Sequence, residues 1–270
     1  MRQGKVTDEH GDAITAETAY RPSRRIFYFR EVQDEPAVPF TENILFQNDE
    51  ILVADKPHFL PVIPGGRFVN ECLLNRLRAR TGIADLAPMH RLDRETAGLV
   101  LFSVNPETRG LYHELFTRGE VEKTYAALAQ VAHPPAEREW LIENRIERGE
   151  PRFRMRVVPG MVNARSVIHL EAINHDSARF RRLDRGEGRG TGMYRLRFRL
   201  HPITGKTHQL RLHMSSLGFG ILNDRVYPVL MPESEDDRER PLQLIASKLR
   251  FRDPLGGNDR EFFSERELSW

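Results

Sequence analysis

Cysteine is almost absent from this 270-residue chain: Cys72 stands alone. No intrachain disulfide can form, and no cysteine-based zinc site can be assembled within it. Long apolar runs are missing too. No stretch approaches the roughly 20 apolar residues of a spanning helix, so no membrane partnership is expected. Met1-Arg2-Gln3-Gly4-Lys5 lacks the apolar run of a secretory leader, which makes the cytoplasm the expected compartment. Excess charge of one sign is also missing: 41 Lys and Arg against 39 Asp and Glu leave +2. Such a balance suits a nucleic-acid partner without demanding one, because binding depends on where the cations lie. Glu233-Ser234-Glu235-Asp236-Asp237 gathers several acids and reads as a solvated loop. A phosphate-cradling loop is lacking as well. Gly186, Gly188, Gly190 and Gly192 are interleaved with Glu and Arg and precede a strand, whereas a phosphate loop precedes a helix.

The length allows one large domain, or one domain with an appendage. Residues 1–40 are polar and aperiodic and read as an N-terminal extension; 41–270 form the main domain. Within the extension, a basic turn at Tyr20–Arg25 leads into a strand at Ile26–Phe29. Ile44-Leu45-Phe46 and Ile51-Leu52-Val53-Ala54 flank the turn residues Asn48-Asp49, a hairpin pattern. Asn70 is a candidate N-cap, with Leu73, Leu74 and Leu77 on one helical face and Gly82 as the stop. Asn105-Pro106-Glu107 predicts a second helix start, with Leu111, Leu115 and Phe116 buried and Gly119 closing it. Thr124–Val131 reads as a strand. Thr207 is placed to cap a third helix, with Leu210, Met214 and Leu217 on its buried face and Gly218 ending it. Arg211 lies one turn on, off that apolar face.

Two segments alternate Arg with apolar residues: Arg152, Arg154, Arg156 and Arg195, Arg197, Arg199. Period two puts each trio on one face of a strand. A solvated face explains the alternation. That every outward position is Arg points further, to phosphate contact.

His90-Arg91-Leu92-Asp93-Arg94-Glu95-Thr96-Ala97-Gly98 runs directly into Leu99-Val100-Leu101-Phe102. A carboxylate between two arginines at the mouth of a buried strand is partly desolvated, and a cation must hold its charge. Folds prepare a carboxylate nucleophile in this way. Taken alone, Arg-x-Asp reads more plainly as a surface turn. A second string is Thr204-Gly205-Lys206-Thr207-His208-Gln209-Leu210-Arg211-Leu212-His213. His208 and His213 are not at the i, i+4 spacing of a helical zinc site, so no metal is expected.

Both strings closely resemble segments of the RluA family of RNA pseudouridine synthases. The remaining matches come in the family's order: Asp55-Lys56-Pro57, Lys123-Thr124-Tyr125-Ala126-Ala127, Asn223-Asp224-Arg225-Val226-Tyr227 and Leu249–Pro254. Phe59, Ala97, Lys206, Phe219-Gly220 and Asn223 depart from its usual residues; these touch the rim, not the nucleophile or its partner. The resemblance implies an α+β catalytic fold on a mixed, mainly antiparallel sheet flanked by helices. It implies isomerisation of uridine in rRNA or tRNA, with RNA as partner, no cofactor and no obligate protein partner. Asp93 would be the nucleophile, attacking ribose or base, and Arg211 the cation holding it ionised. Tyr125 would stack on the uracil and assist proton removal at C5. Arg91, His90, Lys123, Thr207, His208 and Gln209 would surround the substrate, with Lys56 and His90 also supporting the site. The target base must leave its stack, and Arg91 is placed to fill the space or meet a phosphate. The alternative reading is a catalytically silent RNA-binding protein on the same fold. A third, an unrelated hydrolase, lacks a second acid in context, a metal set or a nucleophile elbow.

Overall fold

A computed structural model describes residues 6–28, 35–176, 193–232 and 234–269. Two short strands, β1 (Val6–Asp8) and β2 (Ile26–Tyr28), pair with each other and not with the main sheet. The main body opens with the hairpin β3 (Asn43–Gln47) and β4 (Ile51–Lys56), followed by α1 (Leu73–Thr81), β5 (Ala87–Pro88) and β6 (Ala97–Ser103). Next come α2 (Arg109–Arg118), β7 (Glu122–Val131), β8 (Glu139–Arg148), β9 (Met155–Val158) and β10 (Ala164–Asp176). The chain then forms β11 (Met193–Pro202), α3 (Gln209–Ser216), β12 (Leu244–Arg252) and β13 (Asp259–Phe263). Eleven strands make one sheet in the order β3-β4-β6-β12-β7-β11-β10-β8-β9, with β13 on β12 and β5 on β6. β12 runs parallel to β6 and every other pairing is antiparallel. The expected α+β architecture is therefore present.

Every residue of β4 and β6 is buried, because helices cover both faces of these strands. Leu52, Ala54, Val100 and Phe102 pack against Leu73 and Leu77 of α1. Their neighbours Ile51, Val53, Leu99 and Leu101 face Tyr112 and Leu115 of α2. Farther along the sheet, Ala127, Leu196, Phe198 and Leu200 pack against Leu210 and Met214 of α3. Tyr125 touches both the α1 and the α3 clusters, so it sits mid-sheet between the two helices. Gly98 has φ +110°, and a Cβ there would lie 2.3 Å from the carbonyl oxygen of Ala246. Only glycine allows the parallel approach of β6 and β12 at that point.

Several local expectations need correction. Helix α1 begins at Leu73 rather than after Asn70, because the Glu35 carboxylate takes the amides of Val69, Asn70 and Glu71 and holds them outside the helix. Asn105 accepts from Glu107 N–H in a local turn, and α2 starts only at Arg109. Leu111 is exposed and Tyr112 takes its inward place. Helix α3 is entered from His208, not Thr207. The strand expected at 152–156 is a turn up to Arg154: Arg154 N–H bonds Pro151 O and Gly149 N–H bonds Arg154 O. Only Met155 and Arg156 enter β9, so Arg152, Arg154 and Arg156 share no strand face. Asp236 is not solvated but ion-paired with Arg94. Val38, within the expected extension, packs in the α1 core. Phe29 and the glycines between 186 and 192 lie outside the described residues.

Candidate active site

Leu92 is buried in the α1 core and anchors the chain just before Asp93. Thr96 N–H then donates to Asp93 O at 3.1 Å, closing a turn that feeds β6. Asp93 is thereby held at the strand mouth with its carboxylate at the wall of a groove of about 1070 Å³. Lys56, fully buried in β4, braces the turn from behind. Its ammonium donates to the carbonyls of Pro57, Leu60 and Arg94 at 2.9, 2.8 and 3.2 Å. Burial pushes Lys56 down to about 7, against the pull of Glu95 and Asp93. Three carbonyl acceptors use all three N–H groups of an ammonium, so its deprotonation strips one of them of its donor.

From the opposite side α3 delivers Arg211, which is buried. Its Nε and Nη2 bond Asp224 Oδ2 and Oδ1 at 2.8 and 2.7 Å. Its Nη1 faces Asp93 Oδ2 at 3.3 Å and Glu95 Oε2 at 3.4 Å. Burial opposes the charge, but Asp224, then Asp93 and Glu95, hold the guanidinium well above its ordinary value. Sequence reasoning paired Arg211 with Asp93 alone. Asp224 and Glu95 were missed, although the Asp224-x-x-Tyr227 spacing was the available signal for Asp224. Tyr227 was missed as well. Its backbone amide donates to Asp224, its ring lies beside the Arg211 guanidinium and its hydroxyl meets His208 Nδ1 at 3.2 Å. The other ring nitrogen of His208, Nε2, is 3.8 Å from Asp93 Oδ2.

Tyr125 lines the same groove. Burial and the nearby Asp93 push its phenol well above the usual range, so it stays protonated at neutral pH. Arg91, Lys123, Lys206 and Thr207 also line the groove, and Arg91 is exposed. Burial lowers Lys123. His90 and Gln209 are committed elsewhere. His90 Nε2 accepts Leu101 N–H at 3.1 Å and its ring stacks on Phe116. Burial pushes it down to about 3. The Gln209 amide donates to Arg165 O and Ser166 Oγ and accepts from Thr204 and Lys206. Both residues line the groove wall, the Gln209 amide with its hydrogen bonds made within the protein and His90 with one ring nitrogen so engaged.

The second arginine trio is where the alternation puts it, on β11, but on the far side of the sheet. Leu200 is paired with Tyr125 and Arg199 with Ala126, so Arg195, Arg197 and Arg199 face away from Tyr125. Arg197 and Arg199 both approach Glu171, at 3.6 and 3.4 Å. Among the described residues no group of His, Cys, Asp and Glu could hold a metal, and no helix is long and apolar enough to cross a membrane.

Residues 50–216 match the family model described as RNA pseudouridylate synthase. The chain is 30% identical to the tRNA pseudouridine(31) synthase of Saccharomyces cerevisiae over 73% of its own length and 49% of that protein's. It is 29% identical to the mitochondrial tRNA pseudouridine(32) synthase of that yeast, covering 83% of this chain and 46% of the relative. RNA pseudouridine synthase 7 of Oryza sativa subsp. japonica is 26% identical over 79% of this chain and 51% of its own length. The chain thus spans about half the length of these relatives. In fold it resembles human RNA Pseudouridylate Synthase Domain Containing 1, with a TM-score of 0.63, 23% identity and 86% of each chain covered.

Proposed function

The chain belongs to the RNA pseudouridylate synthase family, and on that footing we propose that it isomerises uridines in RNA to pseudouridine with Asp93 as its nucleophile. The observation that carries this reading is the setting of Asp93. It stands at the wall of an open groove, faced by one nitrogen of a buried arginine whose other donors are fixed on Asp224. A carboxylate so held is positioned beside a cation without being tied up by a tight fork of its own. Tyr125 offers its ring to the uracil. The reaction breaks N1–C1′ and joins C5 to C1′ within one nucleotide, so it has no redox balance to meet and calls for no cofactor.

Arg91, Lys123 and Lys206 are the cations we assign to phosphates beside the flipped nucleotide, since they line the groove that holds Asp93. The backbone role expected of Arg195, Arg197 and Arg199 is confined in this reading to RNA that wraps beyond the groove. The RNA is rRNA or tRNA; two relatives named as tRNA synthases make tRNA the first substrate to offer. The cytoplasm is the proposed compartment, a single Cys72 leaving the fold independent of disulfides. The test is to incubate the protein with tRNA and rRNA transcripts and map pseudouridines. Conversion at defined uridines supports the reading; tight RNA binding without conversion would favour the catalytically silent alternative.

A further inference from the structure

We propose that Arg94, with Arg67 beside it, is a phosphate site for RNA that the carboxylate of Asp236 occupies in the free protein, an inference that rests on reading the groove as an RNA site. Asp236 lies on the acid-rich loop between Tyr227 and β12. Arg94 Nη1 and Nη2 donate to its Oδ2 and Oδ1 at 2.7 and 2.8 Å, a two-point fork. The Arg67 guanidinium stands 3.9 Å from the same Oδ2. A carboxylate forked by one guanidinium and approached by a second is held as a pair of phosphate oxygens is held. Arg94 follows Asp93 directly and lines the same groove, so a phosphate at this place belongs to RNA lying in that groove.

The guanidinium is built to stay when the carboxylate leaves. It lies 5.9 Å from the centre of the Phe59 ring and 5.6 Å from that of Phe68, and Arg67 lies 5.2 Å over Phe68 as well. Both rings are buried in the α1 core. Phe59 holds φ +65°, a conformation bulky residues rarely take, with its ring beneath Arg94. Lys56 donates to the Arg94 carbonyl at 3.2 Å, and Arg94 Nη2 also donates to Glu95 Oε1 at 3.1 Å. The loop that carries Asp236 is held less firmly. Residues 234 and 235 before it and 238–240 after it are exposed and in neither helix nor strand. Arg225 curls this loop on itself through the carbonyls of Pro232, Ser234 and Glu235. The loop reaches the body through Asp236 and through Arg238, which donates to Ala37 O at 3.1 Å. Asp236 is therefore a stand-in that keeps Arg94 aimed and that RNA must displace. RNA that meets Arg94 alone gains little from exchanging one anion for another. RNA that also meets Arg91, Lys123 and Lys206 has the binding energy for the exchange, so the site favours RNA that fills the groove.

The test measures the affinity of the full chain for tRNA and rRNA transcripts at one fixed salt concentration. Asp236→Asn should tighten binding roughly fivefold, the upper end of what a solvent-reached ion pair contributes. Glu235→Gln removes the same charge from the same loop without touching Arg94, and should change affinity by less than about twofold because salt screens an exposed charge. Arg94→Gln should weaken binding, and adding Asp236→Asn to it should restore nothing, since the two residues act on one site. An Asp236→Asn affinity equal to or weaker than wild type overturns the inference and makes the pair a clip for the loop. Equal tightening by Glu235→Gln overturns it too, as does a gain that persists without Arg94. Should Arg94→Gln fail to fold, the mostly exposed Arg67 takes its place: Arg67→Gln should weaken binding more in the Asp236→Asn background than in the wild type, and equal losses overturn the inference. A wild type that converts uridines while these contrasts fail leaves the reading of the groove intact. A wild type that neither binds nor converts any transcript takes down that reading and this inference together.

Discussion

Arg211 gives its two-point fork to Asp224, at 2.8 and 2.7 Å, and only its remaining terminal nitrogen, at 3.3 Å, to Asp93. The Asp224 side chain is fully buried beneath it. The pair therefore fixes the guanidinium, and the guanidinium in turn fixes where Asp93 can stand. Removing one partner of a buried pair leaves an uncompensated charge and costs about 3–5 kcal/mol. Asp224→Ala is expected to lose that much stability by urea denaturation and most of its activity. An Asp224→Ala protein of wild-type stability would mean that the fork is not formed in solution.

Two sets of cations separate groove from sheet. Replacing Arg91, Lys123 and Lys206 with Gln should flatten the salt dependence of RNA binding. Each phosphate left without its cation takes roughly 0.7–0.9 off the log–log slope. Replacing Arg195, Arg197 and Arg199 should change that slope by less than a single phosphate does, because these side chains stand on the face away from Tyr125. Measured slopes in the reverse order would move the RNA path to the far side of the sheet.

One buried and two half-buried histidines make the fold acid-sensitive. Burial pushes His58 down to about 4, His90 to about 3 and His213 to about 4. In the unfolded chain each titrates near 6.5. Below that pH the unfolded state binds protons that the native state refuses, so stability falls as pH falls. The loss is absent above pH 7 and reaches roughly 2 kcal/mol per histidine at pH 5, at 1.36 kcal/mol per pKa unit. Urea midpoints at pH 7 and pH 5 measure it. His90→Gln should narrow the gap between them by about a third; an unchanged gap would show that His90 does not stay neutral in the native protein.

What was readable in the chain follows the range of the forces involved. Gly82 and Gly119 end their helices as expected, because a left-handed C-cap is a local requirement of the backbone. The hairpin around Asn48 and the alternation along β11 are local patterns too. The helix starts were misplaced where distant or competing groups claim the amides: Glu35 at Val69–Glu71, and Asn105 at Glu107. Asp93 and Arg211 were visible only through their strings, and the Arg211 fork on Asp224 was not visible at all. Which of Asp93, Glu95 and Asp224 receives two nitrogens depends on how α3 is set against the loop before β6, and no spacing encodes that. The same holds for Lys56, whose three carbonyl partners come from the turn after β4 and from the Asp93 segment.

The account stands on Asp93 as the group that does chemistry while others hold the fold. The direct measurement is tritium release from 5-tritiated uridine RNA by Asp93→Asn, alongside its urea midpoint and RNA affinity. The account predicts no turnover above background, with stability and RNA binding close to wild type, because Arg211 keeps its fork on Asp224 when Asp93 loses its charge. Appreciable turnover by the purified variant, at any RNA concentration, would contradict it.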